Sequence, residues 1–232
     1  MDFDKMMTLM RRVIAAFPVT IKMVLLSLLF SLLIGYVISA MALAKNKPIL
    51  NGIARFYIAF MRGMPTLVLI FILYFVLPVY LKKAGLNTDG LSKDFFIIAT
   101  LSLVFSANMS EMMRSAFLSV DKFQWEAGFS VGMTWFTTFR RIIFPQIFTV
   151  AIPNLGNNIV NIFKSTSLAF SIGAVDLFGR AKLISANMYG LNRVELYFGT
   201  AVIFWVVCVL LERLTKFAEK KFSKGKRVAA EQ

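Results

Sequence analysis

The stretch Met23-Val24-Leu25-Leu26-Ser27-Leu28-Leu29-Phe30-Ser31-Leu32-Leu33-Ile34-Gly35-Tyr36-Val37-Ile38-Ser39-Ala40-Met41-Ala42-Leu43-Ala44 contains no charged residue. As a helix rising 1.5 Å per residue it reaches about 33 Å, enough to cross a hydrocarbon core of about 30 Å. Lys45, Asn46, Lys47 and Pro48 follow directly, placing cations where lipid headgroups begin and a proline where the helix must stop. Working outward, four further apolar runs recur: Gly63 to Leu81, Phe95 to Ser110, Ile142 to Phe163 and Leu196 to Leu211. Together they predict an all-α integral membrane protein with five transmembrane helices. The spans are expected over about 20–44, 55–81, 94–117, 147–175 and 194–216, in one transmembrane domain over 1–232.

Composition supports this class. The chain is 58% hydrophobic and 16% charged, with mean hydropathy +0.72, whereas a soluble domain is usually about 45–50% apolar and about 25% charged. The net charge of +14 would point to nucleic acid in a soluble protein. Here the basic residues gather at the ends of apolar runs, so membrane lipid is the expected partner and nucleic acid is not. There is no histidine and one cysteine, Cys208, which excludes a disulfide within the chain and a Cys/His zinc site. Asp2 and Asp4 stand where a signal peptide would be basic, so the first span is expected to stay in the mature protein.

Five spans put the termini on opposite sides. A cytoplasmic C-terminus places Lys45, Lys47, Arg55, Arg62, Arg114, Lys122, Arg140, Arg141 and the basic tail Arg213–Arg227 inside, more cations than fall outside. That distribution predicts an N-out, C-in orientation, with the tail anchored on anionic lipid. The fourth stretch, Ile142 to Val175, is too long for one perpendicular helix, and Pro145 and Pro153 disfavour a straight one. Its first turns are therefore read as interfacial.

The loop between spans three and four, about 118–146, is longer than a connection requires. It reads Gln124-Trp125-Glu126-Ala127-Gly128-Phe129-Ser130-Val131-Gly132-Met133-Thr134 and continues to Arg140-Arg141-Ile142-Ile143-Phe144-Pro145-Gln146. Its helical potential, glycine break and terminal cations fit a segment that docks on a soluble partner, or one that lies on the membrane. The fourth span carries Asn154, Asn157, Asn158, Asn161, Lys164, Ser165 and Thr166 in otherwise apolar sequence. Asn154, Asn157 or Asn158, Asn161, and Lys164 or Ser165 recur every three to four residues and form a polar stripe on one helix face. Because unpaired polar groups are costly in a bilayer, the stripe should face a cavity or another span. A lysine near midspan is a functional candidate, with snorkelling or interhelical bonding as the alternatives. Met64, Pro65 and Thr66 are second candidates, since Pro65 frees a backbone carbonyl. Glu111 and Arg114, three apart, read as a structural ion pair, and Asp176 with Arg180 as a solvated outer turn.

The 124–146 loop resembles the "EAA" loop of ABC importer permeases: Glu-Ala-Ala, three residues, Gly, nine residues, then Ile-x-Leu-Pro. Glu126, Ala127, Gly132, Ile142 and Pro145 fall on that spacing, while Gly128 and Phe144 replace a small residue and a leucine. Arg62-Gly63-Met64-Pro65, Ser110-Glu111-Met112-Met113-Arg114, Asn154-Leu155-Gly156-Asn157, Lys164-Ser165-Thr166-Ser167-Leu168 and Ser171-Ile172-Gly173 resemble, in order, segments of the polar-amino-acid importer family. The departures are Met64 for threonine and Asn108 for an aromatic residue. The resemblance spans roughly 17–222. It implies a multi-pass permease subunit of the bacterial inner membrane, working by alternating access. Its implied partners are a separate ABC ATPase subunit, a second permease subunit, identical or homologous, and an extracytoplasmic solute-binding protein. Glu126, Ala127, Gly128, Phe129 and Gly132 would form the coupling-helix contact with the ATPase. The chain lacks a G-x-x-x-x-G-K-[ST] phosphate loop, so ATP and Mg²⁺ would sit on the partner, leaving no cofactor and no catalytic residue here.

For the substrate, the candidate residues are Met64, Pro65, Thr66, Asn157, Asn158, Asn161, Lys164, Ser165 and Thr166. Lys164 suits a carboxylate and the asparagine oxygens an ammonium group. No acid lies on the stripe, which favours a neutral or mildly polar amino acid. The run Thr166 to Gly173 resembles permeases for cystine. The rival reading is an ion-coupled secondary transporter or channel, which needs no ATPase. A membrane-embedded enzyme has no support, for want of histidine, a paired carboxylate site or a zinc motif.

Overall fold

The computed structural model describes residues 3–44 and 46–223. Expectations resting on Asp2, Lys45, Lys224, Lys226 and Arg227 lie outside those residues.

Apolar sequence, together with the scarcity of charge, makes nearly every described element a helix. An amphipathic helix α1 (Phe3–Ile14) leads into α2 (Phe17–Leu43), and α3 (Pro48–Gly63) follows a short turn. Next come α4 (Thr66–Phe71), a wide π turn (Ile72–Val76) and α5 (Leu77–Lys83), which run on as one rod. The long α6 (Lys93–Leu118) is followed by α7 (Lys122–Ser130), the single turn α8 (Trp135–Thr138), a second π turn (Phe139–Ile143) and α9 (Phe144–Thr166). A 3-10 turn (Ser167–Ile172), α10 (Leu177–Asn187) and α11 (Arg193–Ser223) complete the described chain.

Four described helices are long and apolar enough to cross a membrane: Phe17–Leu43, Thr66–Lys83, Lys93–Leu118 and Arg193–Phe222. The stretch expected as a fourth of five spans, α9, falls short of them in hydropathy because asparagines at 154, 157, 158 and 161 interrupt it. The span expected over 55–81 is divided. Pro65 cannot extend a helix and forces the preceding residue towards extended backbone. Met64 accordingly has ψ 136°, and Pro65 ψ 129°.

The centre of the molecule is the pair α2 and α6. Ser27, Ser31, Gly35 and Ser39 line the buried face of α2 at every fourth residue. Ser102, Ser106 and Ser110 do the same on α6. Small residues let helix backbones approach when no solvent drives them together. A Cβ on Gly35 would lie 2.9 Å from the Ser106 carbonyl oxygen. Tyr57 of α3 closes onto this seam, with its hydroxyl donating to the Leu103 carbonyl at 3.0 Å and 2.7 Å from the Ser106 hydroxyl. α9 packs on both α6 and α11.

Both π turns stop two residues before a proline, Pro78 and Pro145. A proline ring collides with the carbonyl four residues earlier in a regular helix. Widening the turn removes the collision, and Leu77 N–H and Phe144 N–H reach back five residues, to Ile72 and Phe139.

Asp176 and Arg180 are not a solvated turn. Asp176 is fully buried and caps α10, its Oδ1 accepting from Gly179 N–H at 2.7 Å. Leu177 N–H donates to Thr20 Oγ1 at 3.0 Å, tying α10 to the first turn of α2. Only Arg180 is exposed. Glu111 and Arg114 form the expected pair, with Arg114 Nη2 2.8 Å from Glu111 Oε2 and Nε 3.1 Å from Oε1.

Candidate translocation and coupling sites

The polar stripe is set by the register of α9. Its inner face, Ile152, Gly156, Val160 and Phe163, is buried against the neighbouring helices. That leaves Asn154, Asn157, Asn161 and Lys164 exposed on the opposite side, with Asn158 half-buried beside them. Asn158 Nδ2 donates to the Asn154 carbonyl at 2.9 Å. Thr166 turns inward and its hydroxyl donates to the Phe163 carbonyl at 2.8 Å, so it is part of the packing. Ser165 is half-buried.

Lys164 sits in the last turn of α9 rather than midway along a span, because the α-helix gives way to the 3-10 turn. There it faces the negative end of the helix dipole. It also lines an open cavity of about 270 Å³ with Ser167, Phe178, Tyr197, Thr200 and Phe204. Sequence reading missed the α10 and α11 contributors to this wall. Their signal was present: Tyr197, Thr200 and Phe204 recur at helical spacing on one face.

Met64, Pro65 and Thr66 stand at the break between α3 and α4. Pro65 is exposed, Thr66 is half-buried, and Met64 packs against the core. α4 touches the 3-10 turn that follows Lys164. The break and the cationic end of the stripe are thus joined through one pair of elements, while the asparagines lie further along α9.

The loop over 118–146 folds on itself. Asp121 caps α7, its Oδ1 accepting from Phe123 N–H at 3.0 Å. The helix ends at Gly132, whose φ of +77° suits a residue without a side chain. Met133 N–H then returns to the Gly128 carbonyl at 3.0 Å, closing a terminal motif. Glu126, Ala127, Phe129 and Gly132 are exposed. Gly128 is not: it is buried against Thr138, and a Cβ there would meet the threonine methyl at 2.5 Å. Its lack of a side chain serves the closure of the loop, and it presents no surface to a partner.

Residues 31–224 match the family model described as "Binding-protein-dependent transport system inner membrane component". The L-cystine transport system permease protein TcyL of Bacillus subtilis is 37% identical over 212 residues, covering 91% of this chain and 87% of TcyL. The probable amino-acid permease protein YxeN of the same organism is 35% identical over 227 residues, covering 97% and 98%. A crystal structure of an amino acid ABC transporter with histidines superposes with a TM-score of 0.81 at 28% identity, covering 95% of this chain and 99% of that one. An inward-facing structure of the MetNI methionine ABC transporter shares the fold, with a TM-score of 0.70 at 16% identity. This chain therefore belongs to the binding-protein-dependent inner membrane transport components, as a multi-pass permease subunit of an ABC importer of the polar-amino-acid type.

Proposed function

We propose that the chain conducts a neutral or mildly polar amino acid, cystine foremost, across the inner membrane by alternating access. In this reading α9 joins the four apolar helices as the fourth of five membrane-crossing elements in chain order, and the chain runs N-out to C-in. The observation that carries the proposal is the outward-facing row Asn154, Asn157, Asn161 and Lys164. Such groups are costly against lipid, so a second permease subunit encloses them, forming a polar path between the two. Lys164 takes the substrate carboxylate at one end of that path, and Asn157, Asn158 and Asn161 take its ammonium group. Ser165 and the Met64–Thr66 break shape the path. The absence of an acid on the stripe argues against a cationic side chain, and the likeness to the L-cystine permease TcyL supports cystine.

Energy comes from ATP hydrolysed on a separate subunit, which grips the exposed face of α7 through Glu126, Ala127, Phe129 and Gly132. An extracytoplasmic binding protein delivers the substrate. The test is uptake of radiolabelled cystine, glutamine, glutamate, arginine and histidine, each offered separately. It uses proteoliposomes holding the subunit, its co-purified ATPase and the binding protein, with and without internal ATP. ATP-dependent uptake of cystine, abolished by Glu126→Lys, is the expected result. Uptake without ATP or binding protein would move the chain to the ion-coupled or channel class.

A further inference from the structure

Gly132 is the soft point of the coupling loop. It takes a left-handed conformation between α7 and α8, and a helix hung on such a joint alone would swing. Aromatic rings bridge this joint. Trp125 of α7 stacks on Trp135 at 5.7 Å and 26°, and on Phe139 at 6.2 Å and 25°. Trp135 and Phe139 lie 5.5 Å apart and only 2° from parallel. The series continues from Phe139 to Phe144 and from Phe144 to Phe148, each at 6.0 Å, and ends with Phe148 edge-on to Phe222 of α11 at 5.2 Å. Two polar ties run beside it. Gln146 Nε2 donates to Gln124 Oε1 at 3.3 Å, and the Thr149 hydroxyl, which donates to the Pro145 carbonyl at 2.8 Å, also lies 3.3 Å from the Phe222 carbonyl. Gly128 lies so near Thr138 that a Cβ would not fit between them.

We propose that the ring series from Trp125 to Phe222 is a lever that locks α7 to α9 and to the end of α11, with Trp135 and Phe139 as its positioning residues. A displacement of α7 is then delivered undiminished to the helix carrying the polar stripe, instead of being absorbed at Gly132. Packed rings oppose sliding and tilting because moving out of an offset-stacked or edge-to-face arrangement loses both the ring contact and its buried area. This inference rests on the coupling reading given above.

The test uses the full transporter in lipid nanodiscs, in a Cys208→Ser background. Spin labels are attached at Lys122→Cys on α7 and Lys216→Cys on α11, and labelled subunits are diluted with unlabelled ones. Distances are read by pulsed electron resonance before and after trapping with ATP and vanadate, and ATPase-subunit capture is measured in parallel. With the rings intact, the lever gives one narrow distance distribution that moves by no more than about 2 Å on trapping, since packed bodies shift as units. Trp135→Ala broadens the distribution or shifts it by several ångströms while capture stays within about twofold of the original, and Trp135→Phe restores it. Phe139→Leu reads the same effect if Trp135→Ala does not insert. A distribution as narrow in Trp135→Ala as in the original overturns the lever. Loss of capture in Trp135→Ala also overturns it, by making the ring a docking residue. Unchanged capture in a Glu126→Lys complex would instead sink the coupling reading itself, whatever the label distances show.

Discussion

Among single residues, Asp176 departs furthest from its sequence appearance. Asp followed four residues later by Arg looks like a surface turn, and nothing local announces that Asp176 is buried or that Thr20, from the other end of the chain, accepts from the N–H of the next residue, Leu177. Burial raises its carboxyl from 3.8 to about 6, against the opposing pull of the Gly179, Phe178 and Asp176 backbone N–H groups. The unfolded chain releases this proton near its ordinary value, whereas the folded chain holds it to about 6. The contribution of Asp176 to stability is therefore greatest below the lower value and declines as pH rises through that window, by roughly 3 kcal/mol in all. Asp176→Asn keeps an oxygen for the Gly179 cap and removes the charge. Relative to the variant, the original chain should lose thermal midpoint in detergent as pH rises from about 4 to about 7. A parallel fall in both would assign the effect to other groups. Lys164 was legible from its type and its apolar setting, yet its place in the last turn of α9 was not. That place depends on where the helix tightens into a 3-10 turn.

Elements were legible wherever hydropathy alone decides them, as in α2, α6 and α11. They were obscured where a proline acts. Pro65 split one expected span, while Pro78 and Pro145 each widened a turn ahead of them without ending the helix. The outcome depends on what packs around the proline, and a single sequence does not carry that. The close approach of α9 and α11 is a further case. A Cβ on Gly156 would collide with the Thr215 side chain. Gly156→Ala should cost about 1–3 kcal/mol in unfolding stability through overpacking, and adding Thr215→Ala should recover most of it. If the double variant is no better than the single one, the contact is not what holds the two helices at this distance. The serine and glycine ladder between α2 and α6 was present in the sequence at every fourth position. It passed unread because serine in an apolar run carries less weight than asparagine or lysine.

For the whole molecule, the helical class was legible from apolar runs, and the family from the resemblance carried by Glu126, Ala127, Gly132, Ile142 and Pro145 at their spacing. Orientation is the property that cation counting predicts and that labelling checks. In a Cys208→Ser background, a membrane-impermeant thiol reagent applied to intact cells should modify Asn87→Cys, between α5 and α6, and spare Ser130→Cys until the cells are broken. The reverse pattern would invert the proposed topology and remove the coupling loop from the ATPase side. The exposed row on α9 also bears on the life of the protein before it works. If a second permease subunit encloses this row in the membrane, as proposed, a newly inserted copy without it would leave three asparagines and a lysine against hydrocarbon, where unpaired polar groups are costly. On that reading, the side chains that would pass a solute in the finished transporter would also penalise the orphan, so that the subunit would be at ease in the bilayer only once assembled.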